Sequence, residues 1–291
     1  MSHISTQTIN GWQWQSGLLV CDLLCHWKHG FFTRAYAPQL PDHLQSHLAT
    51  KTAYRLKQVH GDRVISTSDI LFHPVKEQSI DQLAVPLPEA DGLYISELNK
   101  NTDLANQAKI PASCSIWVCS ADCVPILIGD RKNGAVAAIH AGWRGTASKI
   151  LSQAIEQLQS RGSSVKDLVV VLGPAISGAA YQVSEEVANQ VLQTVSVKVG
   201  VISDPEPDHV RLDIRLVQQQ QLLELGFLPD QIAIAPYCTL SNPDLFFSYR
   251  RQTIEDKVAN GLNKTSQPKT SKPRVTRIQW SGISAKYQAE L

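Results

Sequence analysis

Five short apolar runs, rich in β-branched residues and each closed by turn residues, most constrain what this chain can fold into. They cover residues 115–119, 125–128, 135–140, 168–172 and 231–235, and they predict buried strands. Amphipathic stretches lie between them. Ile150, Leu151, Ala154, Ile155 and Leu158 share one helical face after a Gly-rich turn. Ser184 is placed to cap a helix with Glu185 and Glu186 in its first turn and Val187, Val191 and Val195 inside. Asp213 is placed to cap another, which carries Leu216 and Leu223 and stops at Gly226. Strands and helices interspersed in this way predict a mixed α/β chain without internal repeats.

No linker interrupts the pattern before residue 253. Residues 253–274 turn to Lys, Ser, Thr, Asn and Pro, a composition that cannot pack a core and predicts an exposed flexible loop. A strand-like pattern containing Trp280 resumes over 275–284. The expected layout is one domain over residues 1–291, and a hydrophobic fraction of 43% supplies ample core for it. A formal net charge of +1 gives no electrostatic case for a nucleic-acid or anionic-membrane partner. No apolar stretch is long enough to span a bilayer and no export signal is present, so the expected location is cytoplasmic. The six cysteines are spaced unlike a small disulfide framework and are read as core thiols, with room for one ligand or nucleophile.

Three segments carry the chemistry. Lys57-Gln58-Val59-His60-Gly61 ends an extended run with a His before a Gly, and Ser120-Ala121-Asp122-Cys123-Val124-Pro125 places a Cys after a strand. Ala138-Ile139-His140-Ala141-Gly142-Trp143-Arg144-Gly145 places a His at a strand end before a Gly-rich turn into a helix. Strand ends that feed loops are where sites assemble in such folds. Two imidazoles and a thiolate are a borderline-soft donor set that suits zinc, and three protein ligands leave a fourth position open for catalysis. Ligand imidazoles usually donate their second N–H to an acceptor, for which Asp62, Asp91 and Asp122 are the nearby choices. A His or Cys at a strand end also serves as an ordinary core residue, and spacing alone leaves both readings open.

The turn 141–146 joins a strand, two glycines, an Arg and a helix start, an arrangement suited to an anion such as phosphate. It is equally a tight turn whose Arg144 pairs with a surface carboxylate. The strand-to-helix loop 172–178 carries the same two readings.

Taken in order, HGFFTR at 29–34, KQVHG at 57–61, ADGLY at 90–94, SADCVP at 120–125 and HAGWRG at 140–145 resemble a known family. LGPAISGAAYQV at 172–183 and FFSYRR at 246–251 complete the set. The family was once called laccase-domain or polyphenol oxidase proteins and is now described as purine nucleoside phosphorylases of the YfiH type. The resemblance implies an α+β fold of layered sheets flanked by helices. It also implies a zinc site of His60, Cys123 and His140, phosphorolysis of adenosine, inosine and methylthioadenosine, and deamination of adenosine. The chain departs from the family pattern at Ala35-Tyr36-Ala37-Pro38, where a Gly-rich stretch is usual, and at Ala175 and Ala179–Ala180, where relatives often carry cysteines.

The implied partners are purine nucleosides and phosphate, with Arg34, Arg144 and the Arg250–Arg251 pair placed to hold anionic or polar substrate groups. Two other enzymatic readings compete. A copper-dependent polyphenol oxidase would need many imidazoles, and this chain has nine His and no His-x-His pair, although copper can load an N/S site adventitiously. A metal-free cysteine hydrolase would use Cys123 activated by His140 or His60. A binding protein contacting partners through the basic segment 253–274 is a further reading.

Overall fold

The computed structural model describes residues 10–71, 87–96, 113–262 and 277–287. Two six-stranded mixed sheets dominate it. The first runs, in spatial order, Trp12–Gln15, Leu18–Cys21, Trp27–Phe32, Gln279–Tyr287, Cys114–Ser120 and Thr52–Arg55. The second runs Ile232–Ile234, Leu168–Leu172, Val124–Asp130, Val136–Ala141, Gly92–Ile95 and Val64–Ser66. A three-stranded sheet of Gln182–Ser184, His209–Leu212 and Val201–Ser203 lies apart from both.

The apolar runs do not alternate because the second sheet is buried on both faces. Along Leu168–Leu172, Val169 and Val171 pack into a core shared with Trp12, Leu19, Phe31 and Ile116 of the first sheet. Leu168, Val170 and Leu172 pack on the other side against Ile150, Leu151, Ile155, Val191 and Val217. Val136 and Ala138 join the first core, Ala137 and Ile139 the second. The result is three layers: sheet, sheet, then the helices Ile150–Ser160, Glu185–Leu192 and Ile214–Glu224. Burying one such Val or Leu contributes roughly 1.5–3 kcal/mol, so period-two alternation is absent wherever neither face meets water.

The caps form as the sequence predicts: Ser184 accepts the N–H of Val187, and Asp213 that of Arg215. The helix Glu185–Leu192 ends before Val195, which is buried beyond its terminus. In Ile214–Glu224 the inward face is Val217, Gln218, Gln221 and Leu222, whereas Leu216 points out at 40% exposure. The two buried glutamines are held by polar contacts: Gln218 Nε2 donates to Thr146 Oγ1 at 2.8 Å and Gln221 Nε2 to Thr146 O at 3.0 Å.

One expectation is corrected. Residues 253–262 are not loop but the second part of a helix, Tyr249–Leu262; residues 263–274 lie outside the described residues. The helix forms on polar composition because its first turn is capped, locally by Ser248 and from elsewhere by Asp122. Ser248 Oγ accepts the N–H of Arg251 at 3.2 Å, and Asp122 Oδ2 that of Arg250 at 2.7 Å. Those donors would otherwise be orphaned, and composition carries no trace of such tertiary caps. The strand expected over 275–284 is Gln279–Tyr287, set between Trp27–Phe32 and Cys114–Ser120.

Candidate active site

Strand register assembles the three sequence-predicted ligands. The pairs Val124↔Ala141 and Pro125↔His140 bring Cys123, just before its strand, alongside Gly142. A Cβ on Gly142 would lie 2.8 Å from Cys123 Sγ, so the close approach depends on glycine there. Gly92↔Ile139 likewise sets Asp91 beside His140. His60 arrives on the segment after Thr52–Arg55, in the left-handed region at φ 59°. Potential ligand atoms of His60, Cys123 and His140 all lie within 4.8 Å of one another, and the two imidazoles stand edge to face with centroids 4.9 Å apart. His60 is exposed, Cys123 half-buried and His140 buried, so the group opens to solvent on one side.

Of the three carboxylates considered, Asp91 is the one that orients an imidazole. Its Oδ1 accepts from His140 Nδ1 at 2.8 Å, which leaves Nε2 as the nitrogen for a metal. The same carboxylate accepts the backbone N–H groups of Val59 at 3.2 Å, His60 at 3.0 Å and Gly61 at 2.7 Å. One fully buried side chain thus fixes the ring of one ligand and the main chain of another. Gln58 adds a second tether, donating to Cys119 O at 2.8 Å and accepting Cys119 N–H at 2.7 Å. Asp62 accepts from Gln153 instead. Asp122 has its oxygens on the hydroxyls of Thr239 at 2.6 Å and Ser248 at 3.0 Å and on the N–H of Arg250 at 2.7 Å. Asp122 therefore ties the residue before Cys123 to the helix Tyr249–Leu262. The roles of Asp91 and Gln58 had no distinguishing signal beyond their place in ADGLY and KQVHG.

The electrostatics suit a ligand thiolate. Burial pushes the Cys123 thiol up, but hydrogen bonds from His140 and His60 outweigh it and bring the pKa down to about 7. Burial would lower the His140 pKa, yet the Asp91 and Cys123 hydrogen bonds raise it to about 9. The neighbouring Cys119 is pushed up to about 12, chiefly by burial, and is no nucleophile.

The triad sits at the floor of a cleft of about 1160 Å³, whose other walls include Arg144, Ile176, Tyr181, Tyr249 and Arg250. Arg144 is exposed and stacks over Trp143 at 4.4 Å. Arg250 donates to Gln182 O at 2.9 Å and lies over the Tyr181 ring at 5.4 Å. Arg34 is not among the lining residues: its guanidinium donates to Pro243 O and covers Phe247 at 4.9 Å, holding a loop. Arg251 is likewise structural, bonded to the carbonyls of Thr239 and Phe246. Both glycine loops serve packing. Trp143–Ala147 is a helix of only five residues, and a Cβ on Gly145 would press on Gly61 O at 3.1 Å. Gly178 N–H is taken by Asp213 Oδ2 at 3.0 Å, and Ile176 N–H by Asp122 O at 3.0 Å. Among the described residues no helix is long and apolar enough to cross a membrane.

Residues 42–260 match the family model described as multi-copper polyphenol oxidoreductase laccase. A protein of Synechocystis sp. named purine nucleoside phosphorylase is 42% identical, over 94% of this chain and 96% of its own. A Bacteroides thetaiotaomicron protein of the same name is 35% identical over 52% of this chain and 57% of its own. The crystal structure of YlmD from Geobacillus stearothermophilus shares the fold, with a TM-score of 0.72 over 97% of this chain and 100% of that one at 23% identity. The chain thus belongs to the laccase-like YlmD/YfiH family, whose curated relatives are named purine nucleoside phosphorylases.

Proposed function

We propose that the chain is a zinc-dependent purine nucleoside phosphorylase that also deaminates adenosine and accepts methylthioadenosine. The convergence of His60, Cys123 and His140 on a cleft large enough for a nucleoside and phosphate together carries the reading. The donor set fits zinc: two imidazoles and a thiol whose pKa the neighbouring His140 and His60 hold down, with ligand atoms that all lie within 4.8 Å of one another. Among the described residues there is one such group, whereas a multicopper centre needs several. When bound, zinc supplies Lewis acidity and the means to activate water.

The chain's own residues supply the rest. Asp91 keeps the Nδ1 proton on His140 and fixes the loop that presents His60. Arg144 and Arg250, which line the same cleft, offer guanidinium donors to phosphate or ribose oxygens. Held beside the anomeric carbon, phosphate displaces the purine as ribose 1-phosphate forms; deamination needs no phosphate, only water at C6 of adenine. The test is product analysis on purified, zinc-loaded protein. Adenosine with phosphate should give adenine and ribose 1-phosphate, and without phosphate inosine. Inertness toward adenosine, inosine and methylthioadenosine would defeat the reading.

A second reading is favoured by one observation, the His140 and His60 rings within 4.8 Å of the Cys123 sulfur, which would also suit a metal-free cysteine nucleophile. Cys123→Ser separates the two. A ligand role predicts loss of metal together with turnover, and a nucleophile role predicts loss of turnover with metal content unchanged.

A further inference from the structure

Tyr181 closes one side of the cleft and has no role in holding the fold through its hydroxyl. Its main chain is fixed at both ends: its N–H donates to Gly178 O at 3.3 Å and its carbonyl accepts Leu212 N–H at 3.0 Å. Gly178 is itself pinned by Asp213. The ring packs at the edge of the helical core on one side and under the Arg250 guanidinium on the other. Among the described residues the phenolic oxygen makes no hydrogen bond, and it is not a sealed, orphaned buried atom. Cys123, Asp122, Arg144 and Arg250 line the cleft with it.

We propose that the Tyr181 hydroxyl, with the guanidinium groups of Arg144 and Arg250, forms an oxyanion subsite beside the metal triad that receives inorganic phosphate. A phenol is protonated at neutral pH and offers a donor, and a guanidinium has donors only. Two carboxylates line the cleft, Asp122 and Asp256; Asp122 has its oxygens on Thr239, Ser248 and the Arg250 N–H, so they are not free to take the guanidinium donors. Arg250 spends one hydrogen bond on Gln182 O, and Arg144 only stacks on Trp143. A purine edge presents both donors and acceptors and would leave part of itself unmatched here. A tetrahedral oxyanion presents only acceptors, several of them, in several directions. The subsite rests on the phosphorylase reading for its purpose, though not for its chemistry.

Tyr181→Phe tests it, because the ring, its packing and the contact with Arg250 survive and only the hydroxyl is lost. Binding of inorganic phosphate to zinc-loaded protein is measured by calorimetry, with zinc content and thermal midpoint as controls. Phosphate should bind the variant about tenfold more weakly, as expected for a lost hydrogen bond to a charged acceptor. The KM for phosphate should rise more than that for nucleoside, with zinc content and midpoint unchanged. Phosphate binding as tight in the variant as in the wild type overturns the subsite, even if nucleosides are phosphorolysed. A wild type that turns over no nucleoside, yet loses phosphate affinity on Tyr181→Phe, overturns the phosphorylase reading and leaves the subsite standing.

Discussion

On the metal side of the cleft His140 is 3% exposed and its carboxylate partner Asp91 fully buried, whereas on the wall that carries Tyr181 and the helix Tyr249–Leu262, Tyr249 is 68% exposed. The first wall hangs on strand register, since a slip of one residue between Val124–Asp130 and Val136–Ala141 would turn every side chain over. The second wall hangs on side chains that reach across loops: Asp122 to Ser248 and Arg250, Asp213 to Gly178, Arg250 to Gln182. The difference teaches a division of labour. Ligands that must converge on a point sit at or just beyond strand ends, and groups that must adapt to a substrate sit on loops and a polar helix.

The far wall should be easiest to break through its one buried ion pair. Asp213 bonds Arg215 at 2.7 Å while also capping a helix and holding Gly178. Asp213→Ala should cost about 3–5 kcal/mol, the usual effect of leaving a buried charge unpaired, measured by denaturant unfolding. Burial alone would raise the Asp213 pKa, but the Arg215 and backbone hydrogen bonds hold it below the usual carboxylate value. A depressed folded pKa means its contribution is complete above about pH 3.9, the unfolded value, and is lost as pH falls through the folded one. Wild-type stability should therefore fall more steeply through that window than the variant's; identical slopes would show that the pair does not link to folding.

The metal wall should respond to Asp91 next. Asp91→Ala removes the partner of His140 Nδ1 and the acceptor of three backbone N–H groups, and should weaken zinc binding by about 10–100-fold in chelator competition. Asp91→Asn, which can still accept, should fall between. Wild-type affinity in Asp91→Ala would show that the register alone positions the ligands. Gly142→Ala forces a methyl against Cys123 Sγ, an overpacking cost of about 1–3 kcal/mol concentrated at the site. Metal occupancy should drop with little change in the thermal midpoint, and a fully loaded variant would mean the loop yields easily. The smallest effect is expected at Arg144. Arg144→Ala should reduce phosphorolysis about tenfold, as for one lost charge-assisted hydrogen bond, and deamination less. An equal fall in both would place Arg144 on the nucleoside or the turn.

The same contrast decides what could be read from the sequence. His60, Cys123 and His140 stand out because each ends a strand-like run beside a turn, and that local pattern survives into three dimensions. Asp91 could not be told from Asp62 or Asp122, because which carboxylate meets His140 is fixed by the pairing Gly92↔Ile139, not by proximity in sequence. The helix Tyr249–Leu262 was hidden by its polar composition, since Asp122, which caps it together with the local Ser248, acts through tertiary contact. Gln218 and Gln221 gave no sign of being interior, because a buried glutamine is betrayed only by the Thr146 groups it satisfies. Arg34 and Arg144 looked alike as cations beside glycine-bearing motifs, and only the fold sends one to a loop carbonyl and the other to the cleft.

The most direct test of the central claim is zinc content measured on the same sample as adenosine phosphorolysis, through a cycle of chelation and metal return. The account predicts one zinc per chain in the wild type, activity that disappears with chelation and returns with zinc, and neither metal nor activity in Cys123→Ser. Full phosphorolysis by metal-free protein, or zinc held as tightly by Cys123→Ser as by the wild type, would contradict it.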